Sequence, residues 1–81
     1  MNKRPRILVV DDEVAMRESL KDWLMEDGYE VGLAASGEDA SAKVQEKSWG
    51  VILLDLKMPG MDGLEAMKRL KEISPESEIL M

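Results

Sequence analysis

The sequence predicts an α/β fold in which a doubly wound parallel sheet has the strand order 2-1-3-4. The apolar runs at 7–10 and 51–54 are short, continuous and aliphatic, as in strands covered by helices on both faces. Strand-like and helix-like segments alternate along the chain, which favours parallel strands joined by right-handed crossovers. Both runs end in acids, Asp11 and Asp12 after the first and Asp55 after the second. These acids meet at one sheet edge only if strands 1 and 3 are neighbours.

The first half of the chain predicts two strand–helix pairs. After the strand at 7–10, apolar side chains recur mostly every four residues, which indicates an amphipathic helix over 13–27 with Gly28 as its C-terminal cap. These apolar positions are Val14, Met16, Leu20 and Leu24. The segment 29–34 predicts a second strand, and its charged Glu30 and interrupting Gly32 suit a sheet edge.

The second half predicts two further strands and two helices. Ser36 and Asp39 have the spacing of a capping box and open a helix that runs to about Lys47, with Ala40 and Val44 facing inward. The segments 51–56 and 78–81 are the third and fourth strands. Between them, a turn-rich loop leads to Asp62 as a helix N-cap. The third helix ends before Pro75, and its inward positions are Leu64, Met67, Leu70 and Ile73.

Composition narrows the classes of function. With 81 residues the chain is one domain at most, and its net charge of -6 argues against direct binding to nucleic acid or to an anionic membrane. The absence of Cys and His excludes disulfides and a zinc centre with nitrogen or sulfur ligands. The apolar stretch that follows the basic N-terminus is too short for a signal peptide or membrane span, so a cytoplasmic protein is expected.

The convergent acids suggest a specific chemistry. Clustered carboxylates repel one another unless a cation lies among them, and Mg²⁺ prefers oxygen ligands. Asp55 follows the central strand and is the better candidate for a nucleophile toward phosphorus, while Asp11 and Asp12 hold the cation. Alternatives remain: Asp11 or Asp12 caps the helix that begins near Glu13, or Asp55 is an ordinary loop residue.

Two strings carry a family resemblance, the one over 7–13 and the one over 51–63. In sequence and separation they resemble the receiver domain of bacterial two-component response regulators, whose fold is flavodoxin-like. The resemblance covers essentially all of the chain and implies a single receiver domain over 1–81. Met58, Pro59 and Gly63 match the loop that follows the acceptor.

The resemblance implies a phosphorylation site and its cofactor. Asp55 matches the phosphoacceptor, which a sensor histidine kinase or a small phosphodonor would phosphorylate. Asp11 and Asp12 match the acids that bind Mg²⁺ together with Asp55, and the backbone carbonyl of Lys57 completes the metal ligands. The Lys57 side chain shares a face with Asp55, where it either tunes the lifetime of the phosphoryl group or is simply solvated.

The chain departs from the family pattern at its C-terminal end. The fifth strand and the last two helices are expected to be absent, so the domain is expected to be incomplete there and to lack the hydroxyl and lysine that report phosphorylation. The open edge at 79–81, or the first helix, is then expected to allow self-association. The family also suggests control of an output domain, with transcription favoured, that lies outside this chain.

Three other interpretations compete. One is a phosphorylation-independent interaction or oligomerisation fragment. Another is a Mg²⁺-dependent aspartyl phosphatase of the haloacid-dehalogenase type. Such enzymes need a second acid two residues after the nucleophile as general acid/base, and this chain has Lys57 there, so enzymatic turnover is not expected. The third is a nucleotide-binding domain, and the acidic turn after the first strand argues against it because it lacks the glycines that admit a pyrophosphate.

Overall fold

The computed structural model describes residues 5–54 and 63–80. The described residues form four strands and three helices, which alternate along the chain as the sequence predicts. In chain order these are β1 (Arg6–Val10), α1 (Val14–Glu26), β2 (Glu30–Ala34), α2 (Gly37–Glu46), β3 (Val51–Leu54), α3 (Gly63–Ile73) and β4 (Glu78–Leu80).

The strands form one parallel sheet in the order β2-β1-β3-β4, which confirms the predicted topology. Its register places the carboxyl ends of β1, β2 and β3 side by side, because Val10 of β1 pairs with Ala34 of β2 and with Leu54 of β3. The order in which strands are added across the sheet changes direction between β1 and β3: β2 lies on one side of β1, and β3 and β4 lie on the other. The crevice beyond such a switch point is the preferred ligand site of doubly wound sheets.

The main core lies on the sheet face covered by α2 and α3, here called the α2/α3 face. Side chains alternate along a strand, so the even-numbered positions of β1 and β3 share this face. The core side chains are each no more than 7% exposed. They are Leu8, Val10, Ala34, Ala40, Val44, Trp49, Ile52, Leu54, Ala66 and Leu70.

Helix α1 packs against β1 and β2 on the opposite face, here called the α1 face. Val9 is buried there and Leu53 is half-buried. No residue of α1 is fully buried, and Trp23 is 64% exposed. The α1 face is therefore much less thoroughly covered than the α2/α3 face.

Two of the three predicted helix caps are present, and the third, Asp62, lies outside the described residues. Gly28 follows α1 with φ +91°, a left-handed conformation that glycine adopts without steric cost. Ser36 is the N-cap of α2, and its hydroxyl accepts a hydrogen bond from the Asp39 amide at 3.1 Å. Asp39 in turn accepts from the amide of Ala35 at 3.2 Å, so its carboxylate reaches one residue further back than in a standard capping box.

Three predicted inward positions are exposed instead. Val14 and Met16 of α1 are 63% and 48% exposed, while Leu20 and Leu24 are half-buried. The half-buried positions of α1 are 17, 20, 21 and 24. Arg17 and Lys21 are therefore on the partly buried side of the helix, although the apolar pattern had placed Val14 and Met16 there. Ile73 is 39% exposed at the last turn of α3. None of the described helices has the length and apolar character needed to cross a membrane.

Candidate functional site

Asp11 and Asp12 lie directly beyond β1, where the sequence predicts them. The Asp11 amide donates to the carbonyl of Ala34 at 3.1 Å, so the hydrogen bonding between β1 and β2 continues one residue past the strand. Asp11 is half-buried, whereas Asp12 is exposed. The first acid is thus held by the sheet, and the second projects where a solvated ion can reach it.

The Asp11 carboxylate is anchored at the start of α1. Its Oδ1 accepts a hydrogen bond from the Glu13 amide at 2.9 Å, and Glu13 is the N-cap residue of the helix. The capping alternative is therefore partly right, because Asp11 satisfies one of the free amides at the helix start. Its other oxygen, Oδ2, receives no donor from the described residues, so anchoring and metal binding need not compete.

Arg17 is a site residue that the sequence interpretation missed. Its Nη1 donates to the main-chain carbonyl of Asp11 at 2.7 Å, and Arg17 is half-buried. Within residues 5–54 and 63–80, no ion pair joins Arg17 to a carboxylate. The available signal was its spacing, because Arg17 lies three residues before Leu20 and seven before Leu24 and so shares a helix face with them.

Asp11 borders a groove between α1 and the carboxyl ends of β1 and β3. It has a volume of about 370 Å³, and Asp11 and Glu13 form its polar end. Leu54 lines the same groove, so the carboxyl ends of β1 and β3 border a single concavity. The remaining lining is apolar and consists of Val9, Val10, Met16, Leu20, Leu53 and Leu80.

The described donors fit a hard cation but do not complete its site. Asp11 and Asp12 supply carboxylate oxygens, the ligand type that Mg²⁺ prefers, and Mg²⁺ commonly takes only one or two protein carboxylates and keeps several waters. Within the described parts of the chain, no group of three acids is close enough to hold a metal. Asp55 and Lys57, the other two predicted ligands, lie outside the described residues.

Comparison with known proteins decides the family. The model of the response regulator receiver domain matches residues 7–81. The chain belongs to this family. The receiver domain is 42% identical over 77 residues to the chemotaxis protein CheY of Bacillus subtilis, a match that covers 94% of this chain and 64% of CheY.

Solved structures give the same result. The chemotaxis protein CheY4 of Vibrio cholerae superposes with a TM-score of 0.92 at 36% identity, over 98% of this receiver domain and 68% of CheY4. This match confirms the flavodoxin-like fold, with the last strand and last two helices absent from these 81 residues. The response regulator TrrA of Thermotoga maritima is 41% identical and covers 93% of this chain and 65% of its own. It has been solved with Mg²⁺ and BeF, at a TM-score of 0.85, and with the histidine kinase ThkA, at 0.84.

Proposed function

We propose that this receiver domain accepts a phosphoryl group on Asp55 from a sensor histidine kinase, in a reaction that requires Mg²⁺. The register of the sheet carries the proposal. Val10 pairs with Leu54, and the next residues in sequence are Asp11 after Val10 and Asp55 after Leu54. A peptide bond joins each acid to its strand, and consecutive Cα atoms are about 3.8 Å apart.

In this proposal Asp55 is the nucleophile. One carboxylate oxygen attacks the phosphorus atom, the bond from phosphorus to the kinase imidazole nitrogen breaks, and the electron pair of that bond stays with the imidazole. The product is an acyl phosphate on Asp55. Positioning supplies most of the catalysis in phosphoryl transfer, so an acid that directly follows a buried strand in sequence suits the task.

Asp11, Asp12, Asp55 and the backbone carbonyl of Lys57 are the groups that would hold Mg²⁺. When bound there, the ion would neutralise charge on the phosphoryl oxygens. Asp11 is pre-organised for this role, since its amide, its carbonyl and Oδ1 are each hydrogen-bonded. The related receiver TrrA was crystallised in complex with Mg²⁺ and BeF, which supports the choice of ion.

The kinase partner and the output are proposed from the relatives. TrrA in complex with the histidine kinase ThkA supports a kinase of the same class as the phosphodonor here. Control of an output module, with transcription favoured, stays a prediction, as does self-association. We also propose that the domain is a signalling module rather than a turnover enzyme, because Lys57 stands where an aspartyl phosphatase would need an acid.

Intact-mass analysis after incubation with acetyl phosphate and Mg²⁺ tests the proposal. The wild type should gain the mass of one phosphoryl group, and hydroxylamine should remove it. Asp55→Asn should abolish the gain, while Asp22→Asn, a matched change on the exposed side of α1, should leave it intact. A gain that survives in Asp55→Asn would reassign the acceptor. No gain in the wild type would favour the interaction-module alternative.

A further inference from the structure

The charged side chain of Arg17 binds a main-chain carbonyl oxygen. The guanidinium lies within 2.7 Å of the carbonyl oxygen of Asp11, yet no carboxylate in the described part of the chain forms an ion pair with it. An arginine beside an acidic cluster would normally satisfy itself on a carboxylate, which forms stronger and often bidentate hydrogen bonds. Here the side chain instead binds the peptide group that joins Asp11 to Asp12.

That peptide group determines the direction of Asp12. Because the peptide is planar, holding its oxygen toward α1 fixes its N–H on the opposite side and fixes the backbone that enters Asp12. The Asp12 carboxylate is exposed, and none of the described residues donates a hydrogen bond to it. Its orientation therefore depends on the backbone, and Arg17 holds that backbone from one side.

The other contacts of Asp11 act on different atoms. Its amide is held by the carbonyl of Ala34, and its Oδ1 by the amide of Glu13. Neither contact reaches the carbonyl oxygen between the two acids. Arg17 is thus the contact on that oxygen within residues 5–54 and 63–80.

We propose that Arg17 is a positioning residue for the metal-binding acids, and that its hydrogen bond to the Asp11 carbonyl holds Asp11 and Asp12 in the arrangement that binds Mg²⁺. This inference rests on the proposed metal site. It assigns Arg17 no contact with the ion. Groups that orient metal ligands typically change metal affinity by about 10- to 100-fold when they are removed.

The sign of the effect separates positioning from simple charge. If Arg17 acted only through its positive charge, its removal would relieve repulsion and tighten Mg²⁺ binding. If it positions the acids, removal weakens binding even though the site becomes more negative. The two roles therefore predict opposite changes in the dissociation constant.

Calorimetric titration of the 81-residue chain with MgCl₂ makes the test. Arg17→Met should raise the Kd for Mg²⁺ about tenfold or more. Lys21→Met is the matched control, since Lys21 lies four residues further along α1, is also half-buried and pairs with Glu18 at 3.6 Å rather than with the site. It removes the same charge, and its Kd should stay within about twofold of the wild type because distant charges are screened.

Two further arms keep the result decisive. Arg17→Lys retains the charge but has no planar fork, so Mg²⁺ binding should be weakened less than in Arg17→Met, and this variant carries the test if Arg17→Met does not fold. Urea denaturation without metal reports folding separately. An unchanged or lower Kd in Arg17→Met would overturn the inference alone. A wild type that binds no Mg²⁺ would overturn both the inference and the proposed metal site.

Discussion

Gly32 of β2 lies against the indole of Trp49 so closely that no side chain fits between them. A Cβ built on Gly32 would come within 2.3 Å of Cη2 of Trp49. Trp49 is 4% exposed, and its Nε1 donates to the carbonyl of Lys43 at 3.0 Å. The ring therefore fills the space beneath the edge strand and joins α2, β2 and the start of β3.

Gly32→Ala should destabilise the domain by about 1–3 kcal/mol, because the added methyl overpacks a fixed indole. Strand propensity alone predicts the opposite sign, since alanine is the better strand residue. Urea denaturation measures the difference. Gly50→Ala is the control, with a Cβ at an ordinary 3.5 Å from the Arg6 carbonyl, and it should be nearly neutral. Equal stability of the two variants would contradict the contact.

Gly28→Ala should cost about 1–2 kcal/mol through backbone strain alone. Its φ is +91°, and no atom lies within 4 Å of the position that an alanine methyl would take, so no clash contributes. Gly28→Asn should cost less, because asparagine tolerates this conformation at helix ends. Thermal unfolding of both variants provides the measurement. A neutral Gly28→Ala would mean that the helix ends differently.

Ser77→Ala should destabilise the domain by about 1–3 kcal/mol, because it leaves buried polar groups without partners. Ser77 is 1% exposed, its hydroxyl donates to the Trp49 carbonyl, and the hydroxyl of Ser74 lies 2.6 Å from its own. The exposed Ser48 offers a control, and Ser48→Ala should be nearly neutral. Chemical denaturation of the pair tests this, and equal midpoints would argue against the network.

Mg²⁺ should stabilise the folded wild type, by about 1.4 kcal/mol when free Mg²⁺ is about ten times its Kd. Asp12→Asn should lose most of this response while the metal-free protein gains slightly in stability, because repulsion among adjacent acids falls. Asp11→Asn should also lose the response yet keep the hydrogen bond to the Glu13 amide, since its Oδ1 remains an acceptor. Thermal melts with and without MgCl₂ measure both effects.

Asp22→Asn is the control for the Mg²⁺ experiment, since it makes the same substitution on an exposed position of α1. Its response to Mg²⁺ should equal that of the wild type. A full response in Asp11→Asn and Asp12→Asn together would show that Mg²⁺ stabilises the protein from another place.

The topology was predictable because its signals are local and mutually consistent. Continuous aliphatic runs, the Ser36 cap and Gly28 each identify one element, and the crossover rule then leaves few arrangements. The contacts of Trp49 with Gly32 and Ser77 were not predictable, because they join residues far apart in sequence that no periodic pattern relates.

The sequence predicted the wrong side of α1 as the buried one at its first turn. An apolar count assigns Val14 and Met16 inward, yet both are exposed, whereas Arg17 is half-buried and its guanidinium reaches the Asp11 carbonyl. In the candidate site, Asp11 and Asp12 lie where the sequence predicted. The roles of Asp55 and Lys57 stay predictions.

The pairing of Val10 with Leu54 has a consequence for how the domain tolerates insertions and deletions. Strand side chains alternate with a period of two, so a slip of one residue between β1 and β3 would turn every core side chain of the slipped strand to the opposite face. The same slip would also shift the residue that directly follows the slipped strand relative to the end of the other strand. A change of register between these strands would therefore disrupt the hydrophobic core and the proposed acidic site together, because both depend on the same strand pairing.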